Sequence, residues 1–125
     1  MVVVEKISDV AQLLVDAAHQ KDVVGFRSLH SLFDEETHEN DVYDTLEAAS
    51  RALCPSSLVI YGAVMAKKAD GCPGSGFYDI INNLRREEFR EVTGHNDVHR
   101  LTKENRQDIA EIERDRVYRH AEAHF

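Results

Sequence analysis

The stretch LVIYGAVMA, residues 58–66, is apolar on all sides. A segment of that kind has no face to give to water, so the rest of the chain must be built around it. Val59, Ile60 and Val64 are β-branched and argue for a buried strand. Against the strand, the pattern continues through Lys67, Lys68 and Ala69 to a helix stop at Gly71, and Ser56 or Ser57, after Pro55, can cap a start. The expectation is a central apolar helix over about 56–69, covered by the other elements.

Those elements follow from the 3.6-residue period of apolar positions. A helix over about 5–19 carries Ile7, Val10, Ala11, Leu14, Ala17 and Ala18 on one face. A second, about 22–33, has Val23, Phe26, Leu29 and Phe33 as its stripe and Asp22 as its cap. A third, about 40–53, keeps Val42, Leu46, Ala49 and Leu53 in register. The fifth runs over about 76–93 to a C-terminal Gly94, and Thr102 caps a long last helix, about 103–123. The expected fold class is all-α: a compact bundle of five to six helices around the central one, with residues 1–125 forming a single helical domain.

A chain of 125 residues with 42% apolar and 30% charged side chains can bury one core. No apolar run approaches the roughly 18 residues that a membrane span needs, and MVVVEKISDV lacks the layout of a secretory signal. The expected location is the cytoplasm, with no membrane partner. The only cysteines, Cys54 and Cys72, flank the central helix, whose length of roughly 20 Å exceeds the ~7 Å reach of a disulfide. Two free thiols fit a reducing compartment.

Net charge is −8, and residues 1–66 hold 4 basic against 11 acidic side chains. That half is unsuited to phosphate backbones, so no direct nucleic-acid partner is expected. Within it, DEETHENDVYD presents Asp34, Glu35, Glu36, Glu39, Asp41 and Asp44 as an interaction face for a basic protein.

Two stretches carry potential chemistry. In DGCPGSGFYDII, residues 70–81, Gly71, Pro73 and Ser75 read as ordinary helix-to-helix punctuation. Only Gly74 and Gly76 are left over, and the functional reading of the turn is an anion site at Gly74, Ser75 and Gly76, with Lys67 and Lys68 nearby. The loop has neither a GK[ST] ending nor a GxGxxG spacing. On the last helix, with Ile109 at 0° and about 100° per residue, Glu113, Arg116, His120 and His124 all fall on the stripe that should be apolar. Buried polar groups must be paired or functional. One reading is an intrahelical Glu113–Arg116 pair beside a frayed terminus. The other is a polar pocket at the end of the bundle, completed from Glu35–His38, His95 or His99. HAEAH is not HExxH, and although EETH fits the ExxH spacing and DAAH fits it loosely, two such pairs are matched by chance in a chain with seven histidines, so no metal is assigned.

RHAEAH, residues 119–124, superficially looks like the R-polar-x-x-x-H motif of HEPN-type helical ribonucleases, over six residues. The resemblance implies His124 as an acid/base and Arg119 as a phosphate holder. REVTGH, residues 90–95, matches equally, and ten arginines and seven histidines make such a spacing common, so it assigns no family.

The resulting expectation is a small acidic protein that acts without catalysis by binding another protein, as an inhibitor or immunity-type module does, with no cofactor. A homo-oligomer that buries the last helix's stripe is a further form of partner. The rival expectation is a small-ligand, metal or nucleotide-processing protein that uses Glu113, His120 and His124 or the Gly-rich turn 71–76.

Overall fold

The computed structural model describes all 125 residues. A 3-10 turn, Val4–Lys6, leads into α1, Ile7–His19. β1, Val24–Gly25, runs straight into the short α2, Phe26–His30. After α3, Glu39–Leu53, the chain passes through a second 3-10 turn, Tyr61–Val64, into β2, Met65–Ala66. Then come α4, Ser75–Leu84, and α5, Arg86–Thr93. A third 3-10 turn, Val98–Arg100, precedes α6, Lys103–His124. β1 and β2 pair in parallel, Val24 opposite Met65 and Gly25 opposite Ala66, and form the only sheet. The fold is compact and helical, as the periodicity implies.

α1 buries Val10, Leu14, Val15, Ala17 and Ala18 against α3 and α6, while Ile7 and Ala11 of the expected face are only half-buried. α3 buries Val42 and Ala49, and also Thr45 and Ser50. Thr45 donates its hydroxyl to the Asp41 carbonyl at 2.7 Å and accepts Val3 N–H at 2.9 Å, so its burial leaves no orphan. His38, not a Ser or Asp, caps α3, with Nδ1 accepting Asn40 N–H at 3.1 Å. Thr102 caps α6 in a reciprocal box with Asn105.

The central segment is buried only in its middle, with Leu58 65% exposed and Lys67–Ala69 at the surface, and it is not a helix. Tyr61, Ala63, Val64 and Met65 are 0% exposed and Ile60 1%. Its backbone makes a tight turn on Pro55, extends through Val59 and Ile60, winds once at Tyr61–Val64 and extends again at Met65–Ala66. Val59, Ile60 and Val64 lose rotamer freedom in a helix, and Gly62 adds a backbone-entropy cost. These local preferences prevail because other elements supply the hydrogen bonds that a helix would have made internally. Glu113 Oε2 accepts Ile60 N–H at 2.7 Å, and Ser50 Oγ accepts Gly62 N–H at 3.2 Å. Arg114 donates to the carbonyls of Ala63 at 2.7 Å, Met65 at 3.0 Å and Gly71 at 2.8 Å. Cys54 and Cys72 are free and buried, although no helical rod separates them.

Two further boundaries move. The second helix starts at Phe26 with Gly25 in the cap position and is only five residues long. Asp22 instead accepts the neighbouring Val23 N–H at 2.8 Å, because Val24 and Gly25 are drawn out to pair with β2. The expected helix over 76–93 is broken at Arg85, where φ is −135° and ψ 58°. The break turns the guanidinium inward to Glu113, and Leu84 is left 53% exposed.

Candidate functional site

The terminal stripe proves to be two separate arrangements. Glu113 is 1% exposed, and Arg85 grips it with both terminal nitrogens, at 2.6 and 2.7 Å. Arg116 adds a contact at 3.1 Å and bridges to Glu88 at 2.5 Å. The expected Glu113–Arg116 pair therefore exists, within a network that holds the central segment in place.

The buried arc of α6 is rotated from the expected one: Ile109, Ala110, Glu113, Val117 and Ala121 are inside, and Ile112 is 40% exposed. His120 is consequently half-buried and His124 exposed. Tyr61 Oη lies 2.6 Å from His120 Nδ1, assigned as the phenol donating, which leaves the imidazole proton on Nε2. Burial, with Cys54 nearby, pushes the Tyr61 phenol up to about 12, so it keeps its proton. Burial first, and His124 second, lower the His120 pKa. The two imidazoles lie 4.3 Å apart, ring centre to ring centre.

No group of three or more His, Cys, Asp or Glu side chains is placed to hold a metal ion. His95, like His38, accepts a backbone N–H, that of Asp97 at 3.1 Å. Arg119 is exposed and paired with Asp115 at 2.7 Å.

The acidic face is likewise divided. Asp41 and Asp44 bind the Met1 amino group at 2.5 and 2.8 Å, and Glu39 accepts the Tyr43 hydroxyl at 2.6 Å. Asp34, Glu35 and Glu36 are exposed and form no ion pair.

The Gly-rich turn does not follow a helix. Lys67 and Lys68 come just after β2, and a closed turn links Lys67 N–H to Cys72 O and Gly71 N–H to Lys67 O, each at 2.8 Å. Gly71 has the expected left-handed φ of +70°. Asp70 stabilises the turn by accepting Cys72 N–H at 2.9 Å, and that bond, then Lys67 and Arg106, holds its carboxyl below the usual range. Ser75 is the first residue of α4 rather than its cap, which is Gly74. The amides of Ser75 and Gly76 have no protein acceptor, as expected at a helix start.

Ser75 and Gly76 line a cleft with a cavity of about 490 Å³. α3 lines one wall with Tyr43, Leu46, Glu47 and Ser50, an i, i+3, i+4, i+7 stripe adjacent to its core face. α4 and the turn before it supply Gly74, Ser75, Gly76, Phe77 and Ile80. Phe26 closes one side, its ring edge-on to Tyr43 with centroids 5.9 Å apart. The buried segment gives Ile60, Gly62 and Met65, and Lys67 stands among the lining side chains, with Asp70 at 3.6 Å.

The predicted residues Gly74, Ser75 and Gly76 thus belong to this cleft, and Glu113, Arg116, His120 and His124 do not. Sequence reasoning missed Tyr43, Glu47 and Ser50. Their mixed stripe beside an apolar one was the available signal. The cleft is apolar in its walls, with one carboxylate, one ammonium and several hydroxyls, which suits it to hold and orient a small molecule. Compared with protein-family models, curated protein sequences and solved structures, the chain matches none.

Proposed function

We propose that this chain is a small-ligand-binding protein whose site is the cleft between α3, α4 and the Gly-rich turn. The observation that carries the reading is the cavity of about 490 Å³, walled by Phe26, Leu46, Ile60, Met65, Phe77 and Ile80 and edged by Glu47, Ser50 and Lys67. Small-molecule sites are typically 300–1,000 Å³, largely apolar, with a few convergent polar groups. The test is a stability screen with small amphipathic molecules on the intact chain. A true ligand at about 100 times its Kd stabilises the fold by roughly 2.7 kcal/mol, and Ile80→Trp, which fills the cleft, removes the effect. Failure of every compound, and of an apolar dye such as anilinonaphthalene sulfonate, to bind in a manner sensitive to Ile80→Trp rejects the reading.

A second reading, a non-catalytic module docking a basic protein, draws on the exposure and lack of ion pairs at Asp34, Glu35 and Glu36. Reversing all three to Lys is then expected to abolish a salt-sensitive pull-down from the native host while leaving the fold intact. Equal capture by wild type and variant rejects it. The two buried free thiols support a reducing compartment such as the cytoplasm in either case.

A further inference from the structure

The cleft beside Gly76 brings together hydrogen-bonding groups of opposite character. Ser50 is 4% exposed and lines the cavity. It accepts Gly62 N–H, and its own hydroxyl proton has no acceptor in the protein. The Ser75 and Gly76 amides are two more free donors. Against them lies a charged acceptor: a Cβ on Gly76 would stand 3.2 Å from Glu47 Oε1. Glu47 accepts no hydrogen bond from the protein, and its cation neighbour Arg51 is 3.8 Å away, beyond hydrogen-bond reach.

The one ammonium of the cleft, Lys67, is paired with Asp70 at 3.6 Å, so a simple anion would satisfy Ser50 and the amides but be repelled by Glu47, and a simple cation would be attracted by Glu47 but meet only donors at Ser50 and the amides. The group complementary to both carries a carbonyl and an N–H on neighbouring atoms. Phe26, Tyr43 and Phe77 around the same space favour attaching that group to a flat ring. We propose that the cleft binds a planar heterocycle with a lactam edge, the chemistry shared by guanine, hypoxanthine and uracil. The ring N–H donates to the Glu47 carboxylate in a charge-assisted bond, and the adjacent carbonyl accepts from the Ser50 hydroxyl and the start of α4. Glycine at 76 keeps this edge accessible, because a side chain there would press on the carboxylate. The proposal rests on the cleft being the binding site.

The test is isothermal titration of the full chain with inosine, guanosine, uridine, 1-methylinosine and adenosine, alongside the same anilinonaphthalene dye. Inosine, guanosine or uridine is expected to bind. Methylation at N1 of inosine, which removes the donor, weakens binding at least tenfold. Glu47→Gln, on a half-exposed side chain that a fold check by circular dichroism can clear, does the same, and Gly76→Ala weakens binding in the same direction. Equal affinity for adenosine and inosine, or indifference to Glu47→Gln, overturns the lactam assignment. If no heterocycle binds while the dye binds in a manner sensitive to Ile80→Trp, the lactam assignment falls and the cleft reading survives. If neither binds, both fall.

Discussion

Glu113 accepts the backbone N–H of Ile60 at 2.7 Å, across 53 residues of chain. The same carboxylate is gripped by Arg85, so one buried charge joins α6, the α4–α5 break and the central segment. A buried pair of this kind adds little over an apolar pair of the same shape, but losing one partner is expensive.

Glu113→Ala is therefore expected to cost about 3–5 kcal/mol, since it strands a largely buried guanidinium and orphans the Ile60 amide. The double variant Arg85→Met with Glu113→Met removes both charges and should lose less than Glu113→Ala alone. Urea unfolding of the three proteins checks the order. A Glu113→Ala loss under 1 kcal/mol contradicts the role given to this carboxylate.

Arg114 serves three carbonyls, those of Ala63, Met65 and Gly71. Arg114→Met keeps the apolar stem and removes the donors. Bonds to a charged group are worth roughly 1.5–3 kcal/mol, and these three share one side chain, so a total near 2 kcal/mol is expected. Hydrogen exchange should quicken first at Ala63, Lys67 and Gly71. Uniform quickening across α1 and α3 instead would argue against a local role.

Two glycines should respond in opposite directions. Gly71, at φ +70°, is expected to lose about 1–2 kcal/mol on replacement by Ala. Gly25, in the cap position of α2 with nothing within 4 Å of an added Cβ, should gain a few tenths of a kcal/mol as Ser. Thermal and urea midpoints of the two variants report the signs.

His120 gives the fold a pH dependence. Its folded pKa is lowered from 6.5 by burial and by His124. The unfolded chain therefore takes up the proton first, so the contribution is complete above about 6.5 and is lost as pH falls through the lowered folded value. His120→Gln should flatten that part of the curve. Parallel urea titrations between pH 7.5 and 5 test it, and an unchanged difference between wild type and variant across that range rejects it.

The sequence by itself determined the helical class, most of the inward faces of α1 and α3, the Thr102 and Gly94 caps, the left-handed φ of Gly71 and the burial of the apolar side chains of 60–65, because period, capping and hydrophobicity are local properties. It also exposed the anomaly of Glu113 on a buried stripe. Only the tertiary structure decided what that anomaly is for. Residues 58–66 carry enough apolar surface for the core in any conformation, so burial could not select their backbone. The selection was made by hydrogen-bond partners far away in sequence, namely Glu113, Arg114 and Ser50. The same is true of the cleft: Glu47 and Gly76 meet only because the fold brings the start of α4 to the α3 wall of the cleft, and no spacing along the chain encodes that distance.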